Sequence, residues 1–168
     1  MEFCFTTNFD LLEIFKVATP YLMGFIVFII WFFQKGKEVF ANESKEAIKD
    51  LLELSVINFS IVFEGSKSKT ELETKLINFK ETSERAHRAM LFINRKKDKK
   101  LELLLKNYFI YKESVYHSIN NVVRNSDEMQ IVQFLQLEAT KHNTLRLDRC
   151  TNELISILYP YSIYKKFF

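Results

Sequence analysis

Each of the three histidines has a glutamate at helical spacing, and this is the only arrangement in the chain that suggests metal chemistry. Glu84-Arg85-Ala86-His87 is an E-x-x-H, the pair from which carboxylate-bridged di-iron bundles are built. Glu113 with His117, and Glu138 with His142, are four apart instead. A di-iron centre needs two E-x-x-H pairs and two more glutamates facing inward from other helices. Only one such pair is present, and His117 is out of phase with the apolar Val115/Ile119 line. Rim histidines in intrahelical pairs account for the pattern more simply, so no metal or cofactor is expected. No phosphate-cradling G-x-x-x-x-G-K-[ST], no G-x-G-x-x-G, no H-E-x-x-H and no G-x-S-x-G occurs. No catalytic residue is assigned, and the expectation is that the chain is not an enzyme.

Helices must position whatever the chain does. Three glycines and two prolines in 168 residues leave little turn punctuation, which suits a few long helices and disfavours a many-stranded sheet. The charged residues, 27% of the chain, alternate in sign as on solvated helix faces, and the net charge of +3 is too small to argue nucleic-acid binding. The tyrosines and phenylalanines of 108–116 fall at helical spacing beside Leu104 and Leu105, a core pattern more than a base-stacking one. Phenylalanine is unusually abundant, at 17 residues. Its codons, like those of Lys, Ile and Asn, are AT-rich, a composition that fits a mobile gene.

The organising stretch is Phe15–Phe33, FKVATPYLMGFIVFIIWFF, uncharged from Val17 onward. As a helix it would measure roughly 28 Å, near the hydrocarbon thickness of a bilayer. A signal peptide would carry a basic start and small residues at a cleavage site, whereas Glu2, Asp10 and Glu13 precede this run and Trp31, Phe32 and Phe33 end it. A fully apolar core helix would need more surrounding core than a chain this size supplies. The run is too long for a strand. Trp31 to Phe33 fit an aromatic belt, followed by Lys35 and Lys37; Lys16 can snorkel from the other end. Pro20 and Gly24 fall inside the span, without a G-x-x-x-G dimer motif. The positive-inside rule then places residues 34–168 in the cytoplasm of a cell whose inner (plasma) membrane is crossed once.

The remainder reads as an all-α, coiled-coil-like bundle of about four long helices. The first rod, from Lys37 to about Phe63, has Ile48, Leu51, Leu52, Ser55, Val56, Phe59, Val62 and Phe63 as its apolar positions. Its stretch LSVINFSIVF is apolar on more than one face, and a strand there is the competing reading. Thr70-Glu71-Leu72-Glu73 matches a capping box with Thr70 as N-cap. The second helix carries Leu72, Leu76, Phe79, Ser83, Ala86, Met90 and Ile93, spaced four and three as in a heptad seam. Arg95-Lys96-Lys97-Asp98-Lys99-Lys100 interrupts it with five bases. The third helix carries Leu101, Leu104, Tyr108, Tyr111, Val115, Ile119 and Val122. After a turn at 125–128 the last carries Val132, Leu135, Ala139, Leu147, Cys150, Leu154 and Leu158, and should stop before Pro160. The two cysteines, Cys4 and Cys150, would lie on opposite membrane sides, with Cys150 as a small core residue.

The expected domains are a tail (1–14), the membrane helix (15–33), an up-down cytosolic bundle (34–158) and an aromatic, basic tail (159–168) at the bilayer interface. If the first rod leads away from the membrane, the turn with Arg95, Lys96, Lys97, Lys99 and Lys100 and the tail with Lys165 and Lys166 both return to it, where each base near anionic lipid contributes about 1 kcal/mol. A solvated loop is the alternative for the turn. The expected function is a membrane-anchored helical interaction module, with the bilayer and either a protein partner or its own copies as partners. No nucleic acid or small-molecule substrate is expected. The competing reading is a membrane-perturbing effector of the toxin or phage-defence kind, held in check by a partner; a di-iron enzyme ranks third.

Overall fold

The computed structural model describes residues 11–64, 68–96 and 98–163. Every element among them is helical: α1 (Leu11–Phe63), α2 (Lys69–Ile93), a 3-10 turn (Asn94–Lys96), α3 (Lys99–Asn125), α4 (Glu128–Gln136) and α5 (Glu138–Ser162). The strand alternative for LSVINFSIVF is thereby excluded, since this stretch closes α1. The chain forms two compact units, Met1–Glu38 and Val39–Phe168. The first is described only as helix from Leu11, with Pro20 inside it.

The second unit is a helical bundle. Asp50 meets Arg85 and Phe40 meets Phe92, pairing α1 with α2 in antiparallel sense. The Tyr108 hydroxyl donates to the Ser83 carbonyl at 3.1 Å, between α2 and α3. The Cys150 thiol faces the Leu104 carbonyl at 3.6 Å, between α5 and α3. The circuit closes where Ser55 meets Asp148 and the Asn58 amide donates to the Thr144 carbonyl at 3.1 Å, between α1 and α5. One end of the unit holds Phe40, Phe92, Asp98 and Tyr161. The other holds Lys69, whose ammonium donates to the Ser126 carbonyl at 3.5 Å.

The heptad reading of α2 holds at every position: Leu72, Leu76, Phe79, Ser83, Ala86, Met90 and Ile93 are all buried. In α3 and beyond it slips by one residue in places. Lys112 and Val123 are buried where Tyr111 and Val122 were expected, and Ile131 and Thr140 where Val132 and Ala139 were expected. Cys150 lies in the core as expected.

Local signals were misread at three helix ends. The N-cap of α2 is Ser68, not Thr70: Ser68 is extended and its hydroxyl accepts from the Glu71 amide at 3.3 Å. Ser68-Lys69-Thr70-Glu71 is itself an S-x-x-E, so two overlapping capping patterns competed. The last rod is broken at Leu137, which is extended, and the Thr140 hydroxyl takes the Phe134 carbonyl at 2.9 Å. α5 then runs through Pro160 to Ser162. Burial of Leu158, Tyr161 and Ser162 outweighs the amide that Pro160 lacks. The basic stretch does interrupt the rods, because Asp98 caps α3 by accepting from the Lys100 and Leu101 amides at 3.0 and 3.4 Å.

The largest correction concerns α1. Its buried face is Ala41, Ser44, Ala47, Asp50, Leu51, Leu54, Asn58, Ser60 and Ile61. Of the expected apolar positions only Leu51 is buried, while Leu52, Val56, Phe59 and Phe63 are exposed. The buried face sets Leu51, Leu54 and Ile61 among small and polar residues, and the groups that α2 and α5 bring to it, Arg85 and Thr144 among them, match its polar positions.

Candidate membrane segment and interaction surfaces

Between Ile14 and Phe33 no side chain is buried, and Phe15, Pro20, Gly24, Trp31 and Phe33 are all exposed. The apolar window of this helix has a mean hydropathy of 1.9, with none of it covered by protein. By length and composition this helix can cross a membrane. Pro20 lies inside the helix and removes the amide that would serve the Lys16 carbonyl. The Thr19 hydroxyl donates to the neighbouring Phe15 carbonyl at 2.6 Å. A methyl group placed on Gly24 or on Gly36 would meet nothing within 4 Å, so neither glycine serves a close contact within the chain. Phe28 lies 6.2 Å from Trp31 and 6.4 Å from Phe32, forming an aromatic cluster at the end of the apolar run.

Of the bases assigned to a membrane surface, Lys35 is paired with Glu38 at 2.9 Å, which offsets its charge. Lys37 is half-buried. The Arg95 guanidinium lies 4.7 Å from the centre of the Phe92 ring, a cation–π contact that holds it at the bundle end shared with Phe40. Lys99 and Lys100 are exposed on the first turn of α3. Lys97, Lys165, Lys166 and the side chain of Lys96 lie outside the described residues, as does Cys4.

The histidines are dispersed. His87 is half-buried, with its ring 6.3 Å from Tyr108 and 5.5 Å from Phe109. Burial and then the Lys112 ammonium hold its pKa below the usual 6.5. His117 pairs with Glu113 at 3.0 Å, within one exposed helix turn. Glu138 pairs with Lys141 at 3.3 Å instead of His142. Among the described residues no group of three or more His, Cys, Asp or Glu side chains is placed to hold a metal ion.

The chain matches no known family, no curated protein and no solved structure in the comparisons made with each. The surfaces must therefore be read from their own chemistry.

Two features escaped the sequence reading. The first is a polar layer on the inward side of α1. Arg85 bridges Asp50 at 3.1 Å and Glu53 at 3.5 Å, and the hydrogen bond to Asp50, more than its charge, raises the Arg85 pKa. These charges line an open groove of about 480 Å³ together with Glu43, Glu46 and Arg88. Opposite charges there satisfy one another, which suits structure more than catalysis. Deeper in, Asn58 Oδ1 and the Thr144 and Thr151 hydroxyls have no hydrogen-bond partner among the described residues. The second feature is Lys112, only 5% exposed, 3.3 Å from Glu113 and 5.3 Å from the centre of the Phe109 ring. Small residues every three positions, Ala41, Ser44 and Ala47, were the available signal for the α1 face.

Opposite the polar layer α1 presents the reverse composition. Leu52 (52% exposed), Val56 (68%), Phe59 (49%) and Phe63 (37%) form one outward stripe, with the Phe59 and Phe63 rings stacked at 4.3 Å. α1 therefore buries Ser44, Asp50, Asn58 and Ser60 among its apolar core residues while four larger apolar side chains stay exposed, a conflict between local pattern and packing of the kind that marks working surfaces.

Proposed function

We propose that this chain is a single-pass, membrane-anchored helical interaction module, with residues 15–33 in the inner (plasma) membrane and the bundle in the cytoplasm. The observation that carries the reading is the apolar window of 1.9 mean hydropathy, none of it covered by protein. A helix that leaves so long an apolar run bare would aggregate in water. The basic flank, Lys35 and Lys37, supports the cytoplasmic orientation. The outward stripe of α1 is the interaction face.

Fractionation tests the anchor. The full chain should pellet with membranes and resist extraction by alkaline carbonate, and deletion of residues 15–33 should release it. Release of the intact chain by carbonate would refute the anchor.

The second reading, a membrane-perturbing effector, draws on the same stripe, because an apolar face held outside the core can enter lipid. Membrane potential separates the two. An effector would depolarise bacteria that express the full chain but not those that express residues 1–33 alone; a module would leave the potential intact in both.

A further inference from the structure

We infer that the cavity at the α4–α5 break is a binding site for a small uncharged molecule with an apolar body and one acceptor oxygen. The cavity lies within the bundle, so the inference stands whether or not residues 15–33 anchor the chain.

The break builds the cavity. α4 ends at Gln136, extended Leu137 turns the chain, and α5 starts with no side chain capping its first amides. α3 lines the space with Val115 and Ile119. Its volume is about 230 Å³, more than the roughly 150 Å³ of a dry cavity that takes benzene. Val115, Ile119, Thr140 and Thr144 form its buried lining. Leu137 and Ala139 are exposed at its edge, which gives a ligand a way in.

Thr144 supplies the polar anchor. A helical threonine can satisfy its hydroxyl on the carbonyl four residues earlier. Thr19 and Thr74 do so, and Thr140 reaches the Phe134 carbonyl at 2.9 Å. The Thr144 hydroxyl, on a residue 1% exposed, has no hydrogen-bond partner among the described residues. A buried hydroxyl left unpaired is costly, which favours a ligand that pairs it. Water alone fills the space poorly, because a buried water needs several polar partners and the side chains of Val115, Ile119 and Phe134 offer none.

Charge selects the class. Among the described residues no acidic or basic side chain lines the cavity, and burying an unpaired ion costs far more than burying a neutral group. The groups on offer donate: the Thr144 hydroxyl, the half-buried Asn143 amide and the uncapped amides that open α5. They call for an acceptor oxygen on an apolar body, as in a small ketone.

Methyl NMR of the full chain tests this, in lipid nanodiscs or, if fractionation finds the chain soluble, in buffer. The probes are acetophenone, isopropylbenzene, which keeps the shape without the oxygen, and benzoate, which adds the charge. Acetophenone should shift the methyl signals of Val115, Ile119 and Ala139 and leave those of exposed Val56 and Ile77 in place. Thr144→Val should weaken acetophenone about fivefold without affecting isopropylbenzene, and Thr144→Ser should retain the ketone's affinity. Benzoate should bind most weakly. Absence of shifts at the cavity methyls, as for a site that holds water only, would overturn the inference. So would equal shifts at Val56 and Ile77, full acetophenone affinity in a folded Thr144→Val, or benzoate as the tightest probe. If Thr144→Val loses its helical circular dichroism, Ala139→Trp decides from the exposed edge. It should abolish the acetophenone shifts at Val115 and Ile119, and their persistence would refute the site.

Discussion

His87, packed against Tyr108 and Phe109, makes the bundle sensitive to pH. Its folded pKa lies below 6.5, first through burial and then through repulsion by Lys112, which Glu113 and Glu84 only partly counter. The unfolded chain therefore takes up the proton first as pH falls. Stability should be full above pH 6.5 and should decline as the pH drops through that value toward the lower folded pKa. Urea unfolding across this range should show the decline, and His87→Gln should flatten it. Lys112 is buried through the one-residue slip in α3. A charge buried this far contributes little net stability when its partner is only partly buried, so Lys112→Met should leave the melting temperature unchanged or raise it. It should also make the pH dependence shallower, by removing the repulsion on His87. The Cys150 thiol, buried in the core, has its pKa pushed up to about 11, which leaves it protonated and unreactive at neutral pH.

α1 and α2 show the two ways a helix can meet a core. α2 buries the residues its hydrophobic spacing nominates, because its seam is the only apolar line it has. α1 is apolar on two sides, and the side that carries Leu51, Leu54 and Ile61 among small and polar residues is the one buried. The consequence is measurable with neighbouring leucines. Leu54, fully buried, should cost about 2–5 kcal/mol on replacement by alanine, whereas Leu52→Ala should change stability by less than about 0.5 kcal/mol. Chemical denaturation of the detergent-solubilised chain distinguishes them; equal costs would mean that the two faces of α1 are exchanged. The α4–α5 break is a different lesson. Nothing in Leu135-Gln136-Leu137-Glu138 announces a helix end, since neither glycine nor proline is present. The break is held by the Thr140 hydroxyl on the Phe134 carbonyl, a contact that exists only once the chain has turned.

The unit Val39–Phe168 has its own hydrophobic core, running from Ala47 on α1 to Tyr161 on α5. A chain starting at Val39 should therefore fold in the absence of residues 1–38. Its unfolding should be a single transition by circular dichroism and by tyrosine fluorescence, with the two curves coinciding. Separate transitions would show that the unit does not unfold as one cooperative body. What the amino-acid sequence determined by itself was coarse and periodic. Scarce glycine and proline gave an all-helical chain, one uncharged run gave the segment able to cross a membrane, and the four-three spacing of α2 gave its buried face residue by residue. Capping by Asp98 and Asp127 was equally local, since an acid beside the first free amides acts without help from the rest of the fold. Only the tertiary structure decided the face of α1, the helix through Pro160, the break at Leu137 and the polar contacts of Asp50, Asn58 and Lys112. Each depends on how near a neighbouring helix can come and which group it brings. A sequence fixes the period of its apolar residues, but where two faces are nearly equal in burial energy, the fit against the other helices chooses between them.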